Sequence, residues 1–163
     1  MNFEKVKKGD TYFIEVGRVH AIGKGVLIAE IQQTSDITYR VYDWDRVDSE
    51  GNSRELHTEQ AIDAIDFDME DNFNAYYEKE TNQSNLMVEC PYFTTNFLPI
   101  NGYVKKVNDL DSFIIYLCID GEARIIVNGT SETIQKGETV LMPAGLKSFN
   151  IVAENAELLE VYV

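Results

Sequence analysis

His20 lies in the stretch GRVHAIGKG, residues 17–25, and is one of only two histidines in the chain. An imidazole can ligate a metal, carry a proton or hydrogen-bond as an ordinary structural residue. A catalytic metal with an open position takes about three protein ligands, so one imidazole alone does not make such a site. The same region holds the cations Arg18, Lys24, Arg40 and Arg46. The chain carries a net charge of −14. Its overall field therefore repels anions, and a few local cations would have to hold an anionic ligand. Read one at a time, each of these cations is also an ordinary surface charge.

The elements that would position these residues are mostly strands. TYFIEV, GVLIAEIQQ, TYRVYDW, NLMVEC, YFTTNFLPI, YVKKV, SFIIYLCID, EARIIVNG, ETVLMP, KSFNIV and AELLEVYV are short runs rich in β-branched and aromatic residues. Most are bounded by Gly, Asn, Asp or Pro. Within GVLIAEIQQ, strand alternation puts Glu30 on one face with Ile28 and Gln32, and Leu27, Ala29 and Ile31 on the other. Asp120-Gly121 and Asn128-Gly129 are turn dipeptides and predict two successive hairpins. HTEQAIDAIDF places Ala61, Ile62 and Ile65 at helical spacing, which predicts a helix over 58–66 with Thr58 as its N-cap. The polar, acidic stretch 68–85 reads as a linker. The chain thus divides into residues 1–67, a linker, and residues 86–163. The last part holds about eight closely spaced strands, which fits an antiparallel sandwich or jelly roll.

Composition narrows the function classes. With 44% hydrophobic and 26% charged residues among 163, the chain can bury a core. The acidic balance, with no basic stripe, argues against nucleic acid and anionic membrane as partners. No apolar run is long enough to span a bilayer. The N-terminus has no apolar signal region, and the two cysteines, Cys90 and Cys118, do not form a disulfide framework. A cytoplasmic protein is the expectation.

A repeat lies within the chain. KKGDTYFIEVGRVHAI, starting at Lys7, aligns with QKGETVLMPAGLKSFNI, starting at Gln135. Gly9 then matches Gly137, Lys8 matches Lys136, Asp10 matches Glu138, Gly17 matches Gly145 and His20 matches Ser148. This pattern resembles the second motif of the cupin superfamily: glycine, five residues, proline, any residue, glycine, two residues, histidine. The later copy has Pro143 but Ser148 at the histidine position. The earlier copy has His20 but Glu15 at the proline position.

The longer stretch VHAIGKGVLIAEIQQTSDITYRVYDWDR, residues 19–46, followed by RELHTEQAIDAIDF, resembles the type I mannose-6-phosphate isomerases in their shorter bacterial form. The remainder resembles that family's metal-free C-terminal cupin domain. The resemblance implies an all-β cupin-type jelly roll, with a complete C-terminal barrel, a partial N-terminal barrel and one short helix between them. It also implies that family members carry a further stretch ahead of the part matched here.

In that family an aldose phosphate and a ketose phosphate are interconverted through an enediol, beside a zinc ion. The resemblance assigns His20 as one metal ligand. Its companions in the family, a Gln-x-His pair and a glutamate, have no counterpart found here, since Gln32, Gln33 and Gln60 have no histidine two residues on. Arg40 falls on the family's catalytic arginine, whose fixed charge suits a developing oxyanion. Glu30 and Asp36 fall on acidic positions that line the site and are candidates for proton handling. Lys24 is a candidate for the phosphate. Three functions stay open: a mannose 6-phosphate isomerase, a non-catalytic sugar-phosphate-binding or regulatory cupin, and a structural remnant that pairs with another chain. A homodimer through the N-terminal strands is expected.

Overall fold

The computed structural model describes residues 3–34, 37–68 and 73–163. The chain falls into two compact units, one of Met1–Thr11 and Asn74–Val163, the other of Tyr12–Phe73. Among the described residues no helix is long and apolar enough to cross a membrane.

The first unit is an antiparallel sheet of six strands: β1 (Asn85–Glu89), β2 (Thr94–Val107), β3 (Ile114–Val127), β4 (Thr130–Gln135), β5 (Thr139–Met142) and β6 (Ser148–Tyr162). The order is β1-β2-β6-β3-β4, with β5 also paired to β3. One edge of β3 is shared: Ile114 to Leu117 pair with β5, and Glu122 to Val127 pair with β4. Its other edge pairs with β6. Alternate residues of these strands, among them Leu98, Ile100, Tyr116, Cys118, Phe149, Ile151 and Leu158, form one core. Tyr116 and Phe149 meet edge to face at 5.8 Å. The thiols of Cys90 and Cys118 are free.

The strands are fewer and longer than the sequence punctuation suggests. YFTTNFLPI and YVKKV merge into β2, SFIIYLCID and EARIIVNG into β3, KSFNIV and AELLEVYV into β6. Each junction is a bulge or irregularity within a continuing strand. At β3 the register against β6 slips between Cys118 and Asp120 and again between Gly121 and Arg124. Inward residues change from even (Ile114, Tyr116, Cys118) to odd (Ala123, Ile125) across this point. In β6 they change from odd (Phe149, Ile151, Ala153) to even (Ala156, Leu158). A bulge supplies the extra residue that flips side-chain parity, so both halves of each strand face one core. Asp120-Gly121 is therefore a bulge and not a hairpin turn. Asn128-Gly129, with φ of 48° and 84°, does close the β3–β4 hairpin, in the left-handed pair of conformations such a turn requires.

β2 bends strongly. Asn96 and Lys106 lie ten residues apart, about 33 Å along a straight strand. Both nonetheless reach the carboxylate of Glu160: Asn96 Nδ2 at 3.1 Å and Lys106 Nζ at 2.5 Å. The irregularity between Ile100 and Gly102 is the place where the strand turns back over the core.

Residues of the early repeat also belong to this unit. Lys7 N–H donates to the Asp10 carboxylate at 2.9 Å, and Asp10 N–H to the Lys7 carbonyl at 3.1 Å. The later copy repeats both bonds: Gln135 N–H to the Glu138 carboxylate and Glu138 N–H to the Gln135 carbonyl, each 2.8 Å. Gly9 and Gly137 both take positive φ there, 88° and 91°. The aligned lysines converge on one residue. Lys8 and Lys136 each pair with Asp120, and Lys8 also reaches Glu157 at 3.0 Å. The Lys8 and Lys136 hydrogen bonds hold the Asp120 carboxyl at about 2.

The second unit contains α1 (Thr58–Ala64) and an isolated bridge between Val47 and Ser53. The helix stops short of residue 66, with Ile65 already extended, and its N-cap is His57 in place of the expected Thr58. TYFIEV, GVLIAEIQQ and TYRVYDW are not strands among the described residues. A strand is defined by a run of ladder partners, and within this unit the described residues give these segments only isolated bonds, such as Phe13 N–H to the Phe73 carbonyl at 2.9 Å and His57 N–H to the Arg40 carbonyl at 2.7 Å.

Candidate functional site

His20 is exposed, and its Nδ1 lies 3.0 Å from the carbonyl oxygen of Arg18. A carbonyl oxygen only accepts, so Nδ1 is the donor and carries the proton. The neutral ring then keeps its lone pair on Nε2, directed away from its own backbone. A second hydrogen bond that fixes the tautomer is how a ligating histidine is commonly oriented. The turn behind it, Glu15 to Arg18, is closed by the Arg18 N–H to Glu15 carbonyl bond at 3.3 Å. The later repeat has the same turn, Leu146 N–H to Pro143 carbonyl at 2.9 Å. Glu15 in the proline position therefore does not prevent the turn. Gly17 has φ of 95°, and a Cβ there would sit 3.0 Å from the Ala64 carbonyl and from Asp66.

Arg40 is held through its backbone. Its N–H donates to His57 Nδ1 at 3.2 Å, and its carbonyl accepts the His57 N–H at 2.7 Å. His57 Nδ1 is thus an acceptor, and its proton sits on Nε2, 3.8 Å from the Glu55 carboxylate. The two histidines hold opposite tautomers for this reason. The guanidinium of Arg40 donates from Nη1 to the Glu55 carbonyl at 3.3 Å. Asp43 is buried against Arg54, which grips it through Nε at 2.7 Å and through Nη2. That hydrogen bonding holds the Asp43 carboxyl below the usual carboxylate range.

Glu30 and Lys24 are exposed. Asp36 lies outside the described residues. No hydrogen bond or ion pair joins His20, Lys24, Glu30 and Arg40 to one another among the described residues. His57 is the residue that sequence reasoning passed over. It precedes the helix, and its partner Arg40 is seventeen positions away, so no local motif announces it. It is a positioning residue for the arginine backbone.

Residues 82–163 match the family described as mannose-6-phosphate isomerase, cupin domain. The chain belongs to that family. It is 37% identical over 149 residues to mannose-6-phosphate isomerase ManA of Bacillus subtilis, covering 90% of this chain and 47% of that protein. It is also 37% identical over 145 residues to the mannose-6-phosphate isomerase of Streptococcus mutans, covering 88% and 46%. The crystal structure of the B. subtilis mannose 6-phosphate isomerase superposes with a TM-score of 0.67 at 30% identity, over 79% of this chain and 41% of that one. The chain spans about half the length of the curated relatives it matches. The family is the one whose resemblance the stretch around His20 carries, and the all-β cupin fold stands with it.

Zinc is the cofactor that the resemblance implies. His20 fits as one ligand, with its tautomer set by the Arg18 carbonyl. Among the described residues no group of three His, Cys, Asp or Glu could hold a metal ion. Among the described residues the donor set supplies one oriented imidazole and not a complete zinc site.

Proposed function

We propose that this chain carries part of the catalytic site of an aldose–ketose isomerase that interconverts mannose 6-phosphate and fructose 6-phosphate. The observation that carries the reading is the geometry of His20, whose Nδ1 is tied to its own backbone so that Nε2 faces outward. Family membership supplies the substrate class. A guanidinium is a fixed charge that forks onto two oxygens, so Arg40 suits the enediolate formed as the proton moves between C2 and C1. Glu30 and Asp36 are the proton-handling acids, and Lys24 meets the phosphate. His20 offers one ligand to zinc, and the remaining ligands come from outside the described residues.

A second reading has its own support. The described residues hold no three-ligand group, which favours a non-catalytic cupin that binds the sugar phosphate through Arg40 and Lys24. A coupled isomerase assay with zinc supplied, run beside calorimetric titration of mannose 6-phosphate, separates the two. Under the isomerase reading Arg40→Ala lowers kcat/KM by about a hundredfold to a thousandfold. Turnover that survives Arg40→Ala unchanged is not this protein's own. Binding without turnover selects the second reading.

A further inference from the structure

Residues 55–57 hold Arg40 at three points. Arg40 N–H donates to His57 Nδ1 at 3.2 Å, His57 N–H donates to the Arg40 carbonyl at 2.7 Å, and Arg40 Nη1 donates to the Glu55 carbonyl at 3.3 Å. Among the described residues these are the hydrogen bonds of Arg40. Two of the three are indifferent to pH, because amides, carbonyls and a guanidinium keep their protons and lone pairs in water near neutrality. The third is not. Its acceptor is the lone pair of an imidazole, and histidine is the side chain whose charge changes between about pH 5 and 8. Of the bonds that hold Arg40, only this one can turn from attraction to repulsion in that range.

A charged imidazole carries a proton on both ring nitrogens. Nδ1–H would then face Arg40 N–H, donor against donor. The ring has a second partner in place: its Nε2 lies 3.8 Å from the Glu55 carboxylate, and that attraction strengthens when the ring is charged. The helix that His57 precedes adds the carboxylates of Glu59 and Asp63. The Tyr39 ring lies 6.4 Å from the imidazole, tilted at 56°. The acids favour the charged ring, and Arg40, through its N–H and its positive guanidinium, favours the neutral one. The His57 side chain is 23% exposed, so a proton can reach it from solvent. The ring thus has two arrangements, each with its own partner: neutral on the Arg40 N–H, charged on the Glu55 carboxylate.

We infer that His57 is a pH-sensitive positioning residue, whose protonation releases the Arg40 backbone and loosens the hold of Arg40 on a sugar phosphate as the medium turns acidic. The effect on the ligand rests on the sugar-phosphate reading, while the switch in the ring does not. The bond to Arg40 requires the neutral ring, so it is complete on the alkaline side and is lost as pH falls through the titration of the ring. The test is an NMR titration of the isotope-labelled full chain from about pH 8 to about pH 5. Correlations between ring protons and ring nitrogens read the tautomers, and hydrogen exchange reads the amides.

At the alkaline end the proton is expected on Nε2 of His57 and on Nδ1 of His20. As His57 gains its second proton, the protection of the Arg40 amide falls about tenfold, the loss of one hydrogen bond. The Ile65 amide, bonded to the Ala61 carbonyl at 2.9 Å, keeps its protection. His57→Asn retains a side-chain acceptor but gains no proton, so the Arg40 amide of that variant does not respond to pH. Calorimetry with mannose 6-phosphate reads the effect on the ligand. The ratio of the parent's Kd to the variant's rises about fivefold or more toward acid, since titration of the ligand's own phosphate cancels in the ratio. A His57 proton on Nδ1 at the alkaline end overturns the inference, and so does a ring that stays neutral throughout. An Arg40 amide that keeps its protection while the ring charges also overturns it, as does loss at Ile65 in step with Arg40, which is unfolding of the unit. These four outcomes are read on the parent chain and need no variant. A constant Kd ratio overturns the control of binding. Amides that respond as expected, with no mannose 6-phosphate bound by either protein at any pH, sustain the switch and overturn the sugar-phosphate reading.

Discussion

Gly121→Ala is expected to destabilise the first unit by about 2–5 kcal/mol, the sum of two separate costs. Gly121 has φ of 75°, and a residue with a Cβ in that region carries about 1–2 kcal/mol of strain. The added methyl group also has nowhere to go. It would collide with the Asn155 carbonyl oxygen and lie 3.1 Å from Ala156 Cα. Both obstacles are backbone of β6, so relief requires the facing strand to move, at about 1–3 kcal/mol for overpacking. Gly129 is the control. Its φ is 84°, but a Cβ there meets nothing within 4 Å, so Gly129→Ala carries only the conformational cost, about 1–2 kcal/mol. Urea unfolding followed by far-UV ellipticity measures both. Equal losses for the two variants would show that the approach to Asn155 contributes nothing.

The same pair of glycines shows how far the sequence can be read. Asp120-Gly121 and Asn128-Gly129 send one signal, a short polar residue followed by a glycine between apolar runs. Both meanings of that signal, hairpin turn and bulge, need positive φ. What separates them is whether the chain reverses or continues along β6, and that depends on residues 148–162, far away in sequence. The two repeat turns were legible because their closing bonds are local: Asp10 and Glu138 each cap an amide three residues back. His20 was legible by type and context, but the tautomer that makes Nε2 available depends on the path of the turn at Arg18. Arg40 and His57 could not be joined in advance, because backbone pairing brings them together and neither lies in a shared motif. The strand-like runs of residues 12–43 were readable as composition only. Pairing belongs to two segments at once, and one of them cannot disclose it. Glu160 left a trace that parity would have exposed. It sits two residues after Leu158 in an apolar strand, on the face that points inward.

Lys106→Met should destabilise the first unit by about 3–5 kcal/mol at neutral pH, the usual cost of removing one member of a buried ion pair. Glu160 is 3% exposed. Its carboxylate accepts from Lys106 at 2.5 Å and Tyr116 at 2.6 Å on one oxygen, and from Ser84 at 2.6 Å and Asn96 at 3.1 Å on the other. Burial pushes the Glu160 carboxyl up, but the Lys106 charge and the hydrogen bonds of Lys106, Ser84 and Tyr116 outweigh it and hold the group below its ordinary value of 4.5. Tyr116 is driven the other way, first by burial and then by the Glu160 charge. Asn96 and Lys106 come from the two ends of the bent β2, so this carboxylate clasps the strand across the core. Since the folded value lies below the unfolded one, the group's stabilisation is complete above about pH 4.5 and is lost as pH falls through the folded value. Without Lys106 the two leading depressing causes vanish and burial dominates, so the folded value rises above the unfolded one. The variant is then penalised most where Glu160 is forced to ionise, and least in acid where it is neutral in both states. The gap between parent and variant should therefore narrow as pH falls toward 4, and adding Glu160→Gln to Lys106→Met should recover part of the loss at neutral pH. Urea titrations at several pH values measure both effects. A gap that stays constant with pH would mean that Lys106 acts through packing of its stem and not through its charge on Glu160.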